Sequence, residues 1–405
     1  MTKLSMKARK EVIAKFSREY QRVGKKGKGE ILDHVCATAG LSRDRAARLL
    51  RQPPKKYDAR GRPKKEKGKE NRGRKPKYHE KVVQQLLERL WEEMDYACGK
   101  RLVEGLPAFV EALQRFGELD APDWAAEKVL AMSASTMDRL LTKARKSVTI
   151  KGRSTTKPGS MRKADIPIRR GTDWDDAVVG FMEMDLVAHC GEATVGDYVN
   201  TLDMTDIPSG WTEPIAVLNK ARRHVHGGVK TVQARLPFTL RGMDSDNGGE
   251  FINDLMMAYC KAENILFTRG RPYNKNDNCH IEQKNFTHVR KTVGYGRFEG
   301  QRAVDLLNAY YDRYRLFANF FLPSAKLREK YRQTTPGLHF GRVTKRYDKP
   351  QTPYQRLLLS PDVTPEQKAA LQTHFLTQNP AALKRDMISL LQLIEAEALP
   401  NARPQ

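Results

Sequence analysis

The chain has 405 residues, 39% of them hydrophobic, and its 73 Lys and Arg outnumber 48 Asp and Glu for a formal charge of +25. That length and apolar content suit two or three domains with real cores, and the charge points to a polyanionic partner, nucleic acid first. No apolar run approaches the roughly 20 residues of a membrane helix and the start MTKLSMKARKEV lacks a signal-peptide core, so no membrane partner is expected; for a prokaryotic host the expected location is cytoplasmic and nucleoid-associated.

Residues 5–22 carry apolar positions at helical spacing, and GEILDHVCATAG makes a second short helix closed by Gly40. LSRDRAARLLRQ then begins at Ser42, a good N-cap, with Arg43, Arg45, Arg48 and Arg51 around a Leu49–Leu50 seam. Helix, glycine turn and basic helix predict a helix-turn-helix DNA-binding domain over 1–52; a plain three-helix bundle with a charged face is the alternative. Residues 53–78 have no apolar periodicity and read as a basic Pro/Gly linker. Arg60 and Arg62, then Arg72 and Arg74, bracket glycines there, the first pair resembling an AT-hook core. Such arginines either enter a narrow minor groove or belong to a solvated tether.

Helical patterning returns over 79–147 and ends in SASTMDRLLTKARKS, a Ser/Thr cap ahead of a basic helix with Arg139 and Lys143. This predicts a second helical, helix-turn-helix-like DNA-binding domain, followed by a linker over 148–176. The five cysteines, Cys36, Cys98, Cys190, Cys260 and Cys279, form no C-x-x-C pair, so they are expected as packed thiols and not as a zinc site or disulfide framework.

From residue 177 the period changes. AVVGFMEMDLVAH, GDYVNTLDMTDIPSGW and WTEPIAVLN read as three antiparallel strands, a helix covers about 219–234, and LPFTLRGMDSDNGGEF is a short strand running into an Asx/Gly turn. A helix, the strand LFTRG, the loop RPYNKNDN and a helix ending at Gly294 complete the order βββαβαβα. In a mixed five-stranded sheet of order 3-2-1-4-5, flanked by helices, Asp185 on the first strand and Asp246 at the end of the fourth project side by side, with Glu282 reaching over from the last helix. Three carboxylates so close cannot all ionise without a compensating cation, and hard oxygen donors in that number suit Mg²⁺. The neighbouring acids have plainer readings: Asp244 precedes the turn by two residues, Glu183 shares a strand face with Asp185, and Asp203, Asp206 and Glu250 read as turn or helix-start charges.

Residues 177–294 resemble the catalytic core of retroviral integrases and of integrase-type insertion-sequence transposases, the DDE group of the ribonuclease H-like superfamily. SDNGGEF is similar to their Asp-Asn-Gly turn, RPYNKNDNCHIEQKN to their Pro-Tyr-Asn loop and glutamate helix, and 35 residues separate Asp246 from Glu282. The resemblance implies an α/β ribonuclease H-like core over 177–325 and a catalytic, metal-binding triad of Asp185, Asp246 and Glu282 with two Mg²⁺, Mn²⁺ able to substitute. It further implies double-stranded DNA, both element ends and target, as partner, and a homo-oligomer, at least a dimer, on that DNA. The implied activity is that of an insertion-sequence transposase; a catalytically inactive, transposase-derived DNA-binding regulator is the alternative. Asn278, Lys284 and Asn285 on the glutamate helix are expected near DNA. The family's basic positions four and seven after the glutamate are Phe286 and Val289 here, so those contacts do not carry over. No His/Cys zinc module precedes the core, which favours a transposase over a retroviral integrase. Beyond the core, 326–363 reads as a basic extended arm and 364–405 as a helical C-terminal tail that either mediates multimerisation or caps the core.

Overall fold

The computed structural model describes residues 5–51, 77–146, 178–245, 248–269, 284–332 and 343–399. The chain divides into two compact units, Met1–Pro76 and Lys77–Gln405. The first holds α1 (Met6–Tyr20), α2 (Lys25–Ala39) and α3 (Arg43–Leu50). Gly40, in the left-handed region at φ +60°, ends α2, because the positive φ costs a residue without a Cβ nothing. Tyr20, Ile31, Val35, Ala39, Ala46 and Leu50 form a small core, while Arg43, Arg45 and Arg48 stay on the solvent side of α3.

The second unit is built on a five-stranded sheet of order β3-β2-β1-β4-β5, comprising β1 (Phe181–Ala188), β2 (Asn200–Asp206), β3 (Thr212–Val217), β4 (Gly242–Ser245) and β5 (Leu266–Arg269). β1 pairs antiparallel with β2 and β2 with β3, whereas β4 lies parallel to β1 and β5 parallel to β4. This is the order expected above for the ribonuclease H-like core that the resemblance implies. One face is apolar, through Met182, Met184, Leu202 and Met204, and it receives α9 (Arg222–Arg235). Gly228 brings α9 close: a Cβ there would stand 3.1 Å from Val217 and 3.2 Å from Leu202. α10 (Asp254–Ala262) links β4 to β5.

Past β5, a π-helical turn (Asn285–Arg290) continues into α11 (Lys291–Val293), and then comes the long α12 (Gly300–Phe321). α12 runs beside the outer strand. The Asn319 carboxamide accepts from the Thr212 N–H and donates to its carbonyl, both at 2.9 Å, and Asn308 does the same for Ala216 at 2.7 and 3.1 Å. The backbone groups of an edge strand, open to unwanted pairing, are thereby occupied.

The helices of 79–147 differ from a free-standing module. α4 (Lys81–Glu93), α5 (Gly99–Arg115), α6 (Asp123–Leu130), α7 (Ala134–Leu140) and α8 (Thr142–Arg145) share one hydrophobic core with the sheet unit. Phe109 of α5 meets Phe317 and Phe321 of α12 edge to face, with ring centroids 6.3 and 5.7 Å apart. The physical reason is a broad apolar stripe on α5, Leu102, Leu106, Phe109 and Leu113, which is buried in the core common to these helices, α12 and the sheet. The basic arm expected over 326–363 is likewise more ordered than an extended chain. It forms the hairpin β6 (Leu327–Arg332) and β7 (Val343–Tyr347), then α13 (Pro353–Leu359), started by a capping box between Thr352 and Gln355. α14 (Pro365–Leu376) begins in the same way at Thr364, and α15 (Pro380–Glu397) packs on α12.

Replacing Asn319 by Ala strips both edge groups of Thr212 of their partners inside the fold. The expected loss is about 2–4 kcal/mol of unfolding free energy, measured by urea denaturation. A loss below about 0.5 kcal/mol would show that α12 is held to the sheet by its aromatic face alone.

Candidate active site

Asp185 lies in the middle of FMEMDLVA, where alternation puts Glu183, Asp185 and Val187 on the sheet face opposite Met182 and Met184. Its partner across the antiparallel pair is Asp203; across the parallel pair Met184 stands beside Ser245. The residue after Ser245 is Asp246, which, like Glu282, lies outside the described residues. Asp185 is half-buried. One carboxylate oxygen accepts from the Asn285 amide at 2.6 Å and the other from the Leu186 N–H at 2.8 Å.

Asp203 is fully buried, and neither carboxylate oxygen has a hydrogen-bond partner. Burial pushes its carboxyl up to about 7; the Lys284 ammonium opposes that rise, and the charges of Asp185 and Glu213 add to it. Burial lowers the Lys284 ammonium to about 8, against the pull of Asp203. Its Nζ donates to the Gly210 carbonyl at 3.2 Å and sits 3.5 Å from His288 Nε2. Burial also holds the His288 ring well below the usual histidine range. On the same sheet face Glu183 pairs with Asp244 in register, both buried, and Asp244 accepts from the Thr268 hydroxyl. Further along, His189 Nε2 lies 2.7 Å from the Thr201 hydroxyl, itself 2.8 Å from that of Tyr311.

Among the described residues no three His, Cys, Asp or Glu side chains are grouped to hold a metal. The donors that are present, two opposed carboxylates with two buried unpartnered oxygens, are all hard oxygen and fit a divalent cation of the Mg²⁺ kind.

The residues expected at DNA fall into three groups. Arg43, Arg45 and Arg48, with Arg139 and Lys143 on α7 and α8, are exposed; Arg60, Arg62, Arg72, Arg74 and Asn278 lie outside the described residues. Lys284 and Asn285 instead turn inward, to Gly210 and to Asp185. The π-helical turn explains why faces counted at 3.6 residues per turn do not hold here: Phe286 is 43% exposed and Val289 fully buried, although that spacing sets both on the face of Glu282. Behind this turn a cavity of about 1010 Å³ opens between α5, α12 and β7, with Lys100, Arg101, Lys284, Lys291, Lys345 and Arg346 among its lining residues. Asp206 is the last residue of β2, buried, and braces the turn that follows by accepting from the backbone N–H groups of Gly180 and Ser209 at 2.8 and 2.9 Å. Asp203, also expected as a turn or helix-start charge, is instead an interior position of β2. The signal was present in TLDMTD, where Thr201, Asp203 and Thr205 share one parity.

No family model matches the chain. It is 36% identical over 362 residues to the uncharacterized protein y4rM of Sinorhizobium fredii (strain NBRC 101917 / NGR234), covering 87% of this chain and 96% of that protein. Among solved structures it is similar to the crystal structure of the catalytic core domain of BIV integrase, at 17% identity and a TM-score of 0.25, over 35% of this chain and 83% of that one.

Burial holds the His189 ring down to about 3, so it is neutral when folded and protonates near its ordinary value when unfolded. A depressed folded value means its contribution is complete above about pH 6.5 and is lost as the pH falls toward 3. His189→Gln removes the titration. Between pH 7 and 4.5 its unfolding free energy should gain on the wild type by about 2–3 kcal/mol. Parallel pH profiles from chemical denaturation would contradict a neutral buried ring.

Proposed function

This chain belongs to one family with the y4rM protein of Sinorhizobium fredii, and from the acids on its sheet we propose that it is a DDE transposase of an insertion sequence, cleaving the element's 3′ ends and joining them to target DNA. The observation that carries this reading is the register of β1 and β4. Met184 and Ser245 are paired on adjacent parallel strands, and each is followed in the chain by an aspartate, Asp185 and Asp246. The Asn285 amide bonded to Asp185 stands three residues beyond Glu282, so the segment carrying the third acid is tied to the strand carrying the first.

In this reading Asp185, Asp246 and Glu282 would hold two Mg²⁺ ions, replaceable by Mn²⁺, whose chemistry is to activate the attacking oxygen and stabilise the leaving one. In end cleavage a water oxygen bonds to phosphorus and the P–O3′ bond breaks, freeing the element's 3′-hydroxyl. In joining, that 3′-oxygen gives up its proton and bonds to a target phosphorus, and the target's own 3′-oxygen leaves. No covalent enzyme intermediate is needed. Asn285 fixes the orientation of the Asp185 carboxylate, and the core beneath β1 and β4 holds the two strands that lead to the aspartates in register. Double-stranded DNA is the partner, with Arg43, Arg45, Arg48, Arg139 and Lys143 as proposed contacts; pairing two ends requires at least a dimer on DNA.

Asp185→Asn, Asp246→Asn and Glu282→Gln should each lower cleavage and joining by roughly 1,000-fold or more while flanking-DNA binding persists. The assay combines the purified protein, its gene's own flanking DNA and a supercoiled target, with Mg²⁺ or EDTA. Joining by a triad variant at the wild-type rate would overturn the reading.

Asn285→Leu should slow joining by about 10–100-fold with unchanged retention on the flanking DNA, because a group that orients a metal-binding carboxylate is lost. Unchanged joining would remove the amide from the site's machinery.

A further inference from the structure

Asp203 is a fully buried acid that the triad does not use. It sits directly across from Asp185, on the same sheet face, where opposed side chains in an antiparallel pair approach closely. It has no exposed surface, and both of its oxygens lack a hydrogen-bond partner. The polar groups around it bond elsewhere in this structure. The Lys284 ammonium donates to the Gly210 carbonyl, the Tyr311 hydroxyl is bonded to Thr201, and the Tyr314 hydroxyl donates to the Thr287 carbonyl. Among the described residues no ion pair reaches Asp203. A protonated carboxyl would still need an acceptor for its hydrogen, and the Glu213 carboxylate is taken up by Trp211 and Arg315. A buried carboxylate with no hydrogen-bond donor on either oxygen, and only the Lys284 ammonium near it, has room for a cation from outside the chain to complete it.

We propose that Asp203 is a fourth carboxylate of the cation site, directed at the same divalent ion as Asp185. The inference rests on the metal-dependent reading above and extends it, since the triad leaves this residue without a role. Lys284, near enough to be felt by Asp203 but bonded to Gly210, offsets part of the negative charge when no cation is bound.

The test is Mn²⁺ binding to the full-length protein, followed by electron paramagnetic resonance of the free ion, for the wild type, Asp203→Asn and Asp185→Asn. Asp203→Asn is expected to weaken Mn²⁺ binding by about 10–100-fold without lowering the melting temperature, and Asp203→Glu to restore part of it. A merely structural role would alter melting and leave the affinity alone. Wild-type affinity in Asp203→Asn, with binding lost in Asp185→Asn, would overturn this inference and spare the transposase reading. Wild-type affinity in both variants would remove the metal from Asp185 as well, and both proposals would fall. Should the asparagine variant not fold, Asp203→Ser serves the same comparison.

Discussion

The hydrogen bond from Asn285 to Asp185 joins residues 100 positions apart, and the geometry of the site depends on it. The strand on one side belongs to a sheet whose core is filled by methionine and valine. The helical turn on the other is braced by α12, where Tyr314 stacks edge to face on His288 and donates to the Thr287 carbonyl. Neither element alone presents a carboxylate at a defined angle. Held together, they give the Asp185 carboxylate a fixed orientation in place of a freely solvated one.

Charge is partitioned by depth in this protein. Among the described residues, Lys and Arg line helix surfaces and the cavity behind the π-helical turn, whereas one face of the sheet collects Glu183, Asp185, Asp203 and Asp244. An outer basic field acts over distances of about a Debye length. The acids act only at contact range, in a medium of low polarity where their mutual repulsion is strong. The structural ion pairs follow the same logic: Arg356 with Asp348 and Arg315 with the buried Glu213 are largely shielded and hydrogen-bonded, and they anchor the hairpin base and the edge strand.

Much of the sheet was legible in the sequence, because alternation in FMEMDLVA and the run TEPIAV leave few other ways to bury their apolar residues. The place of Asp185 on the first strand was legible for the same reason, while its choice over Glu183 rested on the family resemblance alone. The packing of α4–α8 was not, since the partner of Phe109 lies some 200 residues away and no local pattern records that Phe317 and Phe321 complete its surroundings. Asp203 was misplaced because an aspartate among threonines has the composition of a turn, and only cross-strand register reveals it as an interior position. The basic arm after α12 was read from its charge, while the Thr352–Gln355 cap that ends it is a short-range signal the charge obscured.

The π-helical turn at Asn285–Arg290 has a consequence for how the chain can vary. Such a turn amounts to one surplus residue wound into a helix. Loss of a single residue from it would restore ordinary pitch and rotate everything upstream by about a quarter of a turn or more, carrying the Asn285 amide away from β1. Substitutions along this segment alter one side chain each. A change in its length would alter the phase of all of them at once, so length rather than composition is the property of this segment that the site cannot give up.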